Sequence, residues 1–510
     1  MTTTPPRPAA PPAPRGIISR LNSRRGRENP FPLLEELRRA GPVVAHGPYA
    51  LLVTSYSLCE YILTSRTWIA PDQQWRSRRN IAPDPPGFSM SATVLRVNDP
   101  QHGRLRELTR GPFTPRGLRA LRPIVRRLVA ECLDTLEDRL DRDGTADFVD
   151  TVARALPAAV MCDVLGLPLH ERARAARFSA LSGPLTEPFA DAEDIATAEA
   201  VAADFHAFVR AALDEPGTGP LSQWVAHEHV ADGSICLDDL ASNIVFLVAA
   251  GSETTSALLA TSLLALESHP EQADWLRGHP QALPAAVEEI MRWDPAVQMV
   301  IRVPVDDTEL AGIEVPAGTL VYVLTAAANR DPDRFPHPHT LDFRRSPQRD
   351  LSFGAGAHYC LGAGLARLEA VEFLPELFRR FPTLRTAGPP VRAPGMSLRT
   401  FQALPVIRGP RGAERSRGRM DVEEREVWDR LVPLCAQVLS VAPQAVVPEA
   451  RLVADLEADS LDIAELTAAL EERFGVSLKD VDTTEAATVG DVAGLVVRLR
   501  HLGSADRAAG

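Results

Sequence analysis

Hydrophobic positions recur with a helical period along most of residues 30–409. The longest apolar run, residues 241–268, is long enough for a buried helix, although Glu253 and Thr254 stand in its middle. Short aliphatic and β-branched segments at 51–54 and 300–303 predict strands instead. The pattern therefore predicts a mainly α, α+β body, in which a large helical domain carries small β-sheets.

Residues 421–510 show a second pattern. Three amphipathic stretches, at 422–439, 461–474 and 489–499, predict a small helical bundle. This segment holds 18 Asp and Glu against 8 Lys and Arg, a net charge of -10, whereas the whole chain has a net charge of -12. The remaining residues, with 49 acids against 47 bases, are nearly neutral. An acidic module is therefore appended to a neutral body.

Composition sets the boundaries that we predict for these units. Residues 1–27 are rich in Pro and Arg, which predicts a disordered tail. The body spans residues 28–408, and a linker rich in Gly, Arg and Ser spans 409–420. The acidic module spans 421–503 and precedes a tail at 504–510. A chain of 510 residues is long enough for one large domain and one small one.

Composition also limits the class of protein. The six cysteines are scattered without a Cys-x-x-Cys pair, so we expect neither a disulfide framework nor a zinc site. No basic stripe favours nucleic acid. Within the run 241–268, the uninterrupted apolar part at 244–251 is ended by Ser252 and Glu253. It is far shorter than the ~20 residues that cross a bilayer, so no membrane association is expected. These features predict a soluble protein of the reducing cytoplasm.

The segment FGAGAHYCLG, residues 353–362, is suited to present one cysteine. Its glycines let the backbone turn and approach a flat group, and Cys360 stands just before a helix start, where N–H donors favour a thiolate. For such a cysteine alone, a buried structural role is the alternative. The whole segment resembles the haem-binding signature of the cytochrome P-450 family of haem-thiolate monooxygenases. Its fixed positions are filled at Phe353, Gly354, Gly356, His358, Cys360 and Gly362.

This resemblance covers roughly residues 28–408. It implies a heme b cofactor whose iron is ligated by the Cys360 thiolate, with Phe353, His358 and Gly362 also binding the haem.

The haem propionates would be bound by three further basic residues. His102 and Arg106 lie one helical turn apart, so they share a face that resembles the family's propionate-binding helix. Arg302 is implied as the third partner. For His102 and Arg106 considered alone, a solvated surface pair is the alternative.

The polar residues within the run 241–268 resemble the family's oxygen-activating segment. Ala250 and Gly251 would leave room above the iron, Thr254 would hold dioxygen and a water, and Glu253 would feed protons from solvent. Relatives that use peroxide lack this acid–alcohol pair, so its presence favours reductive activation of dioxygen. A merely bent core helix is the alternative for these residues alone.

Other segments imply structural and substrate-binding residues. Glu289 and Arg292, with Arg334 in the Pro-Asp-Arg-Phe run, resemble the Glu-Arg-Arg network that braces the cysteine loop. The segments that line the family's substrate pocket correspond here to Phe246, Ala250, Val297, Val300 and Phe401.

The acidic module resembles an acyl carrier protein. An Asp-Ser pair before a helix is ordinarily an N-cap, but the similarity extends from the Asp459-Ser460-Leu461 box through residues 470–475 and 488–491. It implies that Ser460 carries phosphopantetheine at a helix start, where free N–H groups favour a phosphate. Glu457 departs from the glycine that many carriers have before the box.

Together these resemblances predict a monooxygenase of a secondary-metabolite pathway. It would hydroxylate, or otherwise oxidise, a C–H bond of an acyl or aminoacyl group tethered to Ser460. Two alternatives stay open: oxidation of a free small molecule while the carrier serves a separate synthase, and a non-oxidising haem scaffold that presents the carrier.

The same resemblances imply several protein partners. No flavin, nicotinamide or iron–sulfur motif occurs, so the two electrons would come from a ferredoxin and a ferredoxin reductase. Arg344, Arg345 and Arg349 would receive an acidic ferredoxin. A phosphopantetheinyl transferase and an acyl-loading enzyme or synthase would act on the carrier.

Overall fold

The computed structural model describes residues 10–508 except 48, 86, 216, 218, 410–421, 440, 442–445, 448–449, 453–454, 457, 459, 477 and 479–487. The chain divides into two compact units, Met1–Arg408 and Gly409–Gly510. Nearly all of the predicted linker 409–420 lies outside the described residues.

The first unit is mainly helical, as predicted, with four small sheets. Its helices are α1 Ile17–Asn22, α2 Arg24–Glu28, α3 Phe31–Ala40, α4 Tyr56–Thr64, α5 Gln73–Arg78, α6 Gln101–Thr109, α7 Pro115–Asp143, α8 Ala155–Leu165, α9 Arg172–Ser182, α10 Ala192–Asp214, α11 Pro220–Val225, α12 Glu228–Ala231, α13 Leu237–Ser268, α14 Pro270–Gly278, α15 Leu283–Trp293, α16 Thr325–Ala328 and α17 Ala363–Arg380.

The described residues of this unit also form twelve short strands. They are β1 Val43–His46, β2 Ala50–Val53, β3 Trp68–Ile69, β4 Thr145–Asp147, β5 Val300–Pro304, β6 Thr308–Leu310, β7 Ile313–Val315, β8 Leu320–Val323, β9 Leu384–Thr386, β10 Val391–Arg392, β11 Phe401–Ala403 and β12 Pro405–Arg408. The largest sheet has the order β1-β2-β8-β5-β3, in which β2 and β8 are parallel. The predicted strands at 51–54 and 300–303 correspond to β2 and β5, which β8 brings into this one sheet.

Helix α13 is the central element of the core. It is 32 residues long and packs against α8, α9 and α10. Among the described residues it is the one helix long and apolar enough to cross a membrane, and 78% of its most apolar window is buried inside the protein. A core helix passes that test of length and composition equally well.

The prediction of a disordered tail over residues 1–27 is wrong for residues 10–27. Helices α1 and α2 form there, and Ile17 and Leu21 are only 2% and 5% exposed. These two apolar residues lie four apart on one helix face and pack in a cluster with Leu34, Leu37 and Met299. The prediction rested on average composition, in which the many Pro and Arg residues outweigh the two apolar residues that anchor the segment. Residues 1–9 lie outside the described residues.

The described residues of the second unit include the three predicted helices. They are α18 Val422–Val438, α19 Ser460–Phe474 and α20 Val489–Ala508. Their apolar faces form a separate core that includes Leu431, Leu466, Leu470 and Val492. The last helix runs to Ala508, so the predicted tail at 504–510 is wrong for residues 504–508.

Candidate active site

A cavity of about 340 Å³ lies in the first unit between α13 and the loop that carries Cys360. Most of the residues predicted from the sequence line it. They are Arg106, Phe246, Ala250, Glu253, Thr254, Val297, Val300, Arg302, Phe353, His358, Cys360 and Gly362. The fold therefore gathers residues from four separate segments of the chain, near 106, 246–254, 297–302 and 353–362, around one space.

Two glycines shape the loop before Cys360. Gly354 and Gly356 both have a φ of 69°, a conformation that favours glycine. A Cβ on Gly356 would lie 2.2 Å from the carbonyl oxygen of Leu63 in α4, whereas a Cβ on Gly354 would lie 4.0 Å from its nearest neighbour. Gly356 thus permits a close backbone approach. The Cys360 N–H donates to the Phe353 carbonyl at 2.9 Å and closes the loop.

The Cys360 side chain faces the cavity and is exposed to it, although the loop lies deep in the unit. Burial raises the pKa of the Cys360 thiol. Backbone N–H groups of Gly362 and Ala363, at the start of α17, favour the thiolate and oppose that shift. The positive charges of Arg106 and Arg367 act in the same direction. These groups surround the sulfur with donors suited to an anion.

Basic side chains occupy one side of the cavity wall. The imidazole rings of His102 and His358 lie 4.1 Å apart between centroids, so His102 reaches the site through His358 rather than by lining the cavity. The Nε2 atom of His102 is buried, and no hydrogen-bond partner for it occurs in the described part of the chain. Arg106 donates from Nη1 to the Tyr359 carbonyl at 2.8 Å. Arg302 is 6% exposed, and burial lowers its pKa to about 10.

Arg96 is a cavity residue that the sequence analysis missed. Burial lowers the pKa of Arg96, and the positive charge of Arg96 lowers the pKa of Arg302, so the two guanidinium groups are close enough to repel each other. Arg96 follows a loop of weak periodicity, and no motif connects it with β5. Only the fold brings it to Arg302.

The acid–alcohol pair lies on α13 beside the same cavity. Glu253 is 8% exposed, accepts a hydrogen bond from Ser179 Oγ at 3.1 Å, and lies 3.9 Å from Arg154 Nε. Burial raises the pKa of Glu253, although Arg154 and Ser179 oppose this. Thr254 Oγ1 donates to the Ala250 carbonyl at 2.6 Å. Because its proton is used there, the hydroxyl presents lone pairs to other groups.

The expectation that Gly251 leaves room above an iron is incomplete. A Cβ at this position would lie 2.6 Å from the sulfur of Met161 in α8. Gly251 therefore also lets α8 pack closely against α13.

The Glu-Arg-Arg network forms with a different third member. Glu289 pairs with Arg292 at 2.7 Å and with Arg345 at 3.0 Å, and all three side chains are buried or nearly so. Arg334, the residue predicted, is exposed and stacks over Tyr56 at 4.9 Å from the ring centroid. The prediction of Arg334 is therefore wrong, because the chain between α16 and the cysteine loop turns residue 345 toward α15. Because Arg345 is bound in this network, it is not one of the surface residues that could receive a ferredoxin, as the sequence analysis predicted it would be.

Comparison with known proteins agrees with this geometry. The family model described as cytochrome P-450 matches residues 222–398. A putative cytochrome P-450 133B1 of Xylella fastidiosa is 34% identical over 369 residues, which cover 71% of this chain and 90% of the relative. The chain belongs to the cytochrome P-450 family. The 6-deoxyerythronolide B hydroxylase of Saccharopolyspora erythraea, also 34% identical, is covered over 94% of its length and covers 73% of this chain.

One of the solved structures similar to this P-450 is itself a complex with a carrier protein. The crystal structure of P-450BioI in complex with hexadec-9Z-enoic acid ligated acyl carrier protein aligns with a TM-score of 0.67 and 28% identity, over 75% of this chain and 99% of that one. The family model described as phosphopantetheine attachment site matches residues 429–496. The prediction of a P-450 monooxygenase with a C-terminal carrier domain is therefore confirmed.

The cofactor of a P-450 is a haem with a thiolate-ligated iron, and this cavity fits that group. A haem carries two propionate carboxylates. Among the described residues, no carboxylate pairs with Arg96, Arg106 or Arg302, and the His102 Nε2 atom is an orphan. Buried guanidinium groups without an anion are costly. The propionates of a bound haem would supply the acceptors that these residues need.

One predicted substrate contact of the P-450 is wrong. Phe401 does not line the cavity: it is 3% exposed in β11, where the Arg392 guanidinium lies 3.7 Å from its ring centroid. Ser397 and Leu398, just before it, line the cavity instead. Leu398 forms a bridge with Val297, which brings this turn to the cavity. Periodicity gave no sign of that pairing.

The carrier domain of this P-450 takes phosphopantetheine as its cofactor. Helix α19 begins at Ser460, as the predicted attachment at a helix start requires. Glu457 and Asp459 lie outside the described residues.

Proposed function

We propose that this P-450 hydroxylates, or otherwise oxidises, a C–H bond of an acyl chain held on its own carrier domain at Ser460. The observation that carries the proposal is the presence, in one chain, of a mostly apolar cavity beside Cys360 and a phosphopantetheine attachment domain. Tethering raises the effective concentration of a substrate to the order of millimolar for a short flexible linker. The relative with an acyl-ligated carrier protein supports the same use.

The cavity wall favours an acyl chain over an aminoacyl chain. Its lining includes large apolar side chains such as Phe88, Phe178 and Phe246. An ammonium group would need a free carboxylate there. Asp294 is bound by Arg399 and Arg392, and burial raises the pKa of both Glu253 and Glu369, so none of the three is a ready partner for a cation.

Each residue of the site then has a role. Bound haem supplies the activation of dioxygen and the insertion of one oxygen atom into the C–H bond. Cys360 would ligate the iron, and Arg106, Arg302, His102 and His358 would hold the propionates. Phe353 and Gly362 would pack against the ring.

The protons would come through α13. Glu253 has a raised pKa and lies beside Arg154, whose guanidinium is bound to Asp150, a carboxylate that is 65% exposed. Glu253 can therefore keep a proton at a higher pH than an exposed carboxyl does, and the exposed Asp150 carboxylate is where this group of side chains reaches solvent. The Thr254 hydroxyl, which donates to Ala250, can accept a hydrogen bond from a protonated group in the cavity.

Electrons and modification would come from other proteins. P-450 enzymes need redox partners, and we propose a ferredoxin with its reductase. Arg116 and Arg119 are exposed on α7, next to Leu118, which touches Gly364 in the helix after Cys360. Arg344 and Arg349 are also exposed, and each of these arginines offers a positive charge to an acidic ferredoxin, although Arg349 lies 3.9 Å from Glu60.

A phosphopantetheinyl transferase and an acyl-loading enzyme would prepare the carrier. All six cysteines are free thiols, which suits a reducing cytoplasm as the proposed location.

The test uses the full chain with haem and phosphopantetheine in place. Candidate acyl groups are loaded, and the Soret band and intact mass are recorded with ferredoxin, reductase and NAD(P)H. We expect a low-to-high-spin shift and a gain of one oxygen on the Ser460 arm. Ser460→Ala should lose both while it keeps the 450 nm band of the carbon monoxide complex. A spin shift and oxidation with free small molecules, unchanged in Ser460→Ala, would favour the oxidation of a free substrate instead.

A further inference from the structure

The segment between α9 and α10, residues 183–191, covers one side of the cavity and is called here the cover segment. Leu185 and Thr186 in it line the cavity. Ser397 and Leu398, in the turn before β11, line the cavity as well. The cover segment and this turn therefore meet at the cavity wall.

The carboxylate of Glu187 connects the cover segment with the turn before β11. Glu187 Oε2 accepts hydrogen bonds from the backbone N–H groups of Met396 and Ser397, both at 2.7 Å. Its Oε1 accepts from the Phe189 N–H at 3.4 Å. Gly395 makes room for the carboxylate, because a Cβ there would lie 2.6 Å from Glu187 Oε2, and its φ of 119° also favours glycine.

Hydrogen bonds to an ionised carboxylate are the stronger kind, so this contact is sensitive to the charge of Glu187. No side-chain cation pairs with Glu187 among the described residues, so its partners are backbone N–H groups together with the Ser397 side chain. Burial raises the pKa of Glu187, and the N–H groups of Met396 and Ser397 oppose that shift. The second anchor of the cover segment is Phe189, whose ring stacks on Tyr322 at 5.7 Å between centroids.

We propose that Glu187 is a positioning residue that holds the cover segment closed over the cavity, and that ligands reach the cavity when its bonds to Met396 and Ser397 break. The contact links two segments that both line the cavity, so its opening widens the cavity wall without unpacking α13. The proposal goes beyond the proposed function, because it holds for a tethered and for a free substrate alike.

The test measures how fast a bulky haem ligand reaches the iron. Stopped-flow mixing of the ferric holoprotein with 4-phenylimidazole follows the Soret shift, and gives association and dissociation rates. In Glu187→Ala both rates should rise by about tenfold, the scale set by a hydrogen bond to a charged group. The dissociation constant should change little, because the closed protein loses the same contact whether or not the ligand is bound. Glu187→Gln, which keeps an acceptor oxygen without the charge, should lie between.

Two further variants complete the design. Glu193→Gln alters an exposed acid at the start of α10 and should leave both rates unchanged. Gly395→Ala should push the carboxylate away and raise the rates as Glu187→Ala does, and the double variant should show no additional increase. Carbon monoxide spectra and thermal midpoints check that the haem and fold are retained. Unchanged rates in Glu187→Ala, an equal rise in Glu193→Gln, or loss of the haem spectrum in Glu187→Ala would each overturn the proposal.

Discussion

Glu369 on α17 is a carboxyl group in an unusual setting. It is fully buried, and neither of its oxygens has a hydrogen-bond partner among the described residues. Burial raises its pKa well above 4.5. The folded protein therefore keeps a proton on Glu369 at pH values where the unfolded chain has released it, so stability falls as pH rises above 4.5.

Glu369→Gln should remove this loss of stability. Relative to the parent, the variant's free energy of unfolding is expected to increase between pH 5 and pH 8 by up to about 1.4 kcal/mol per pH unit. Its thermal midpoint should rise relative to that of the parent over the same range. Thermal unfolding of both holoproteins across this range checks it. Glu376→Gln, which alters a partly exposed acid on the same helix that pairs with Arg379, is the control. Parallel midpoint curves for Glu369→Gln and the parent would contradict the assignment.

The stabilities of Arg345 and Arg334 variants test which arginine belongs to the network of Glu289: Arg345, as the structure shows, or Arg334, as the sequence predicted. Because Arg345 pairs with the 5%-exposed side chain of Glu289, Arg345→Ala leaves part of a buried charge unmatched and should cost about 3–5 kcal/mol of stability. Arg334→Ala removes an exposed stacking contact over Tyr56 and should cost about 1 kcal/mol or less. Denaturant unfolding of both variants measures this. An equal loss of unfolding free energy in both variants would indicate that Arg334 also belongs to the network.

At the scale of elements, the cysteine loop depends on how closely it approaches α4. Gly354→Ala introduces only the strain of a positive φ, about 1–2 kcal/mol. Gly356→Ala adds a clash with the Leu63 carbonyl, at 2.2 Å, that the backbone cannot relieve cheaply. We expect the second variant to lose far more of its 450 nm carbon monoxide band at equal protein concentration. Similar losses in the two variants would mean that φ alone sets the requirement.

Elements with strong local signals were predictable, and those defined by long-range pairing were not. The apolar run at 241–268 predicted α13, which begins only four residues earlier, at Leu237. The motif around Cys360 fixes the loop, because its glycines and cysteine act within ten residues. Arg345, Arg96 and Leu398 enter the site by tertiary contacts alone, and no period or spacing in the sequence reports these.

At the scale of the whole molecule, the N-terminal helices belong to the first unit. Ile17 and Leu21 are buried, and the Arg399 guanidinium donates to the Glu28 carbonyl at 3.0 Å. Deletion of residues 1–28 should therefore cost about 3–6 kcal/mol, since each buried aliphatic side chain contributes about 1.5–3 kcal/mol.

Deletion of residues 1–9 alone is the matched control and should leave the thermal midpoint of the 450 nm band unchanged. Equal midpoints for the two truncations would show that the packing of α1 and α2 contributes nothing.

The row of unpaired positive charges in the cavity wall has a consequence for how this protein is produced. Burial disfavours the positive charges of Arg96, Arg106 and Arg302, and Arg96 also repels Arg302, until carboxylates join them. A ligand that binds only the folded chain stabilises it by mass action. Haem therefore acts as a folding partner, and the yield of native protein in a host cell should follow the host's porphyrin supply more closely than its rate of translation.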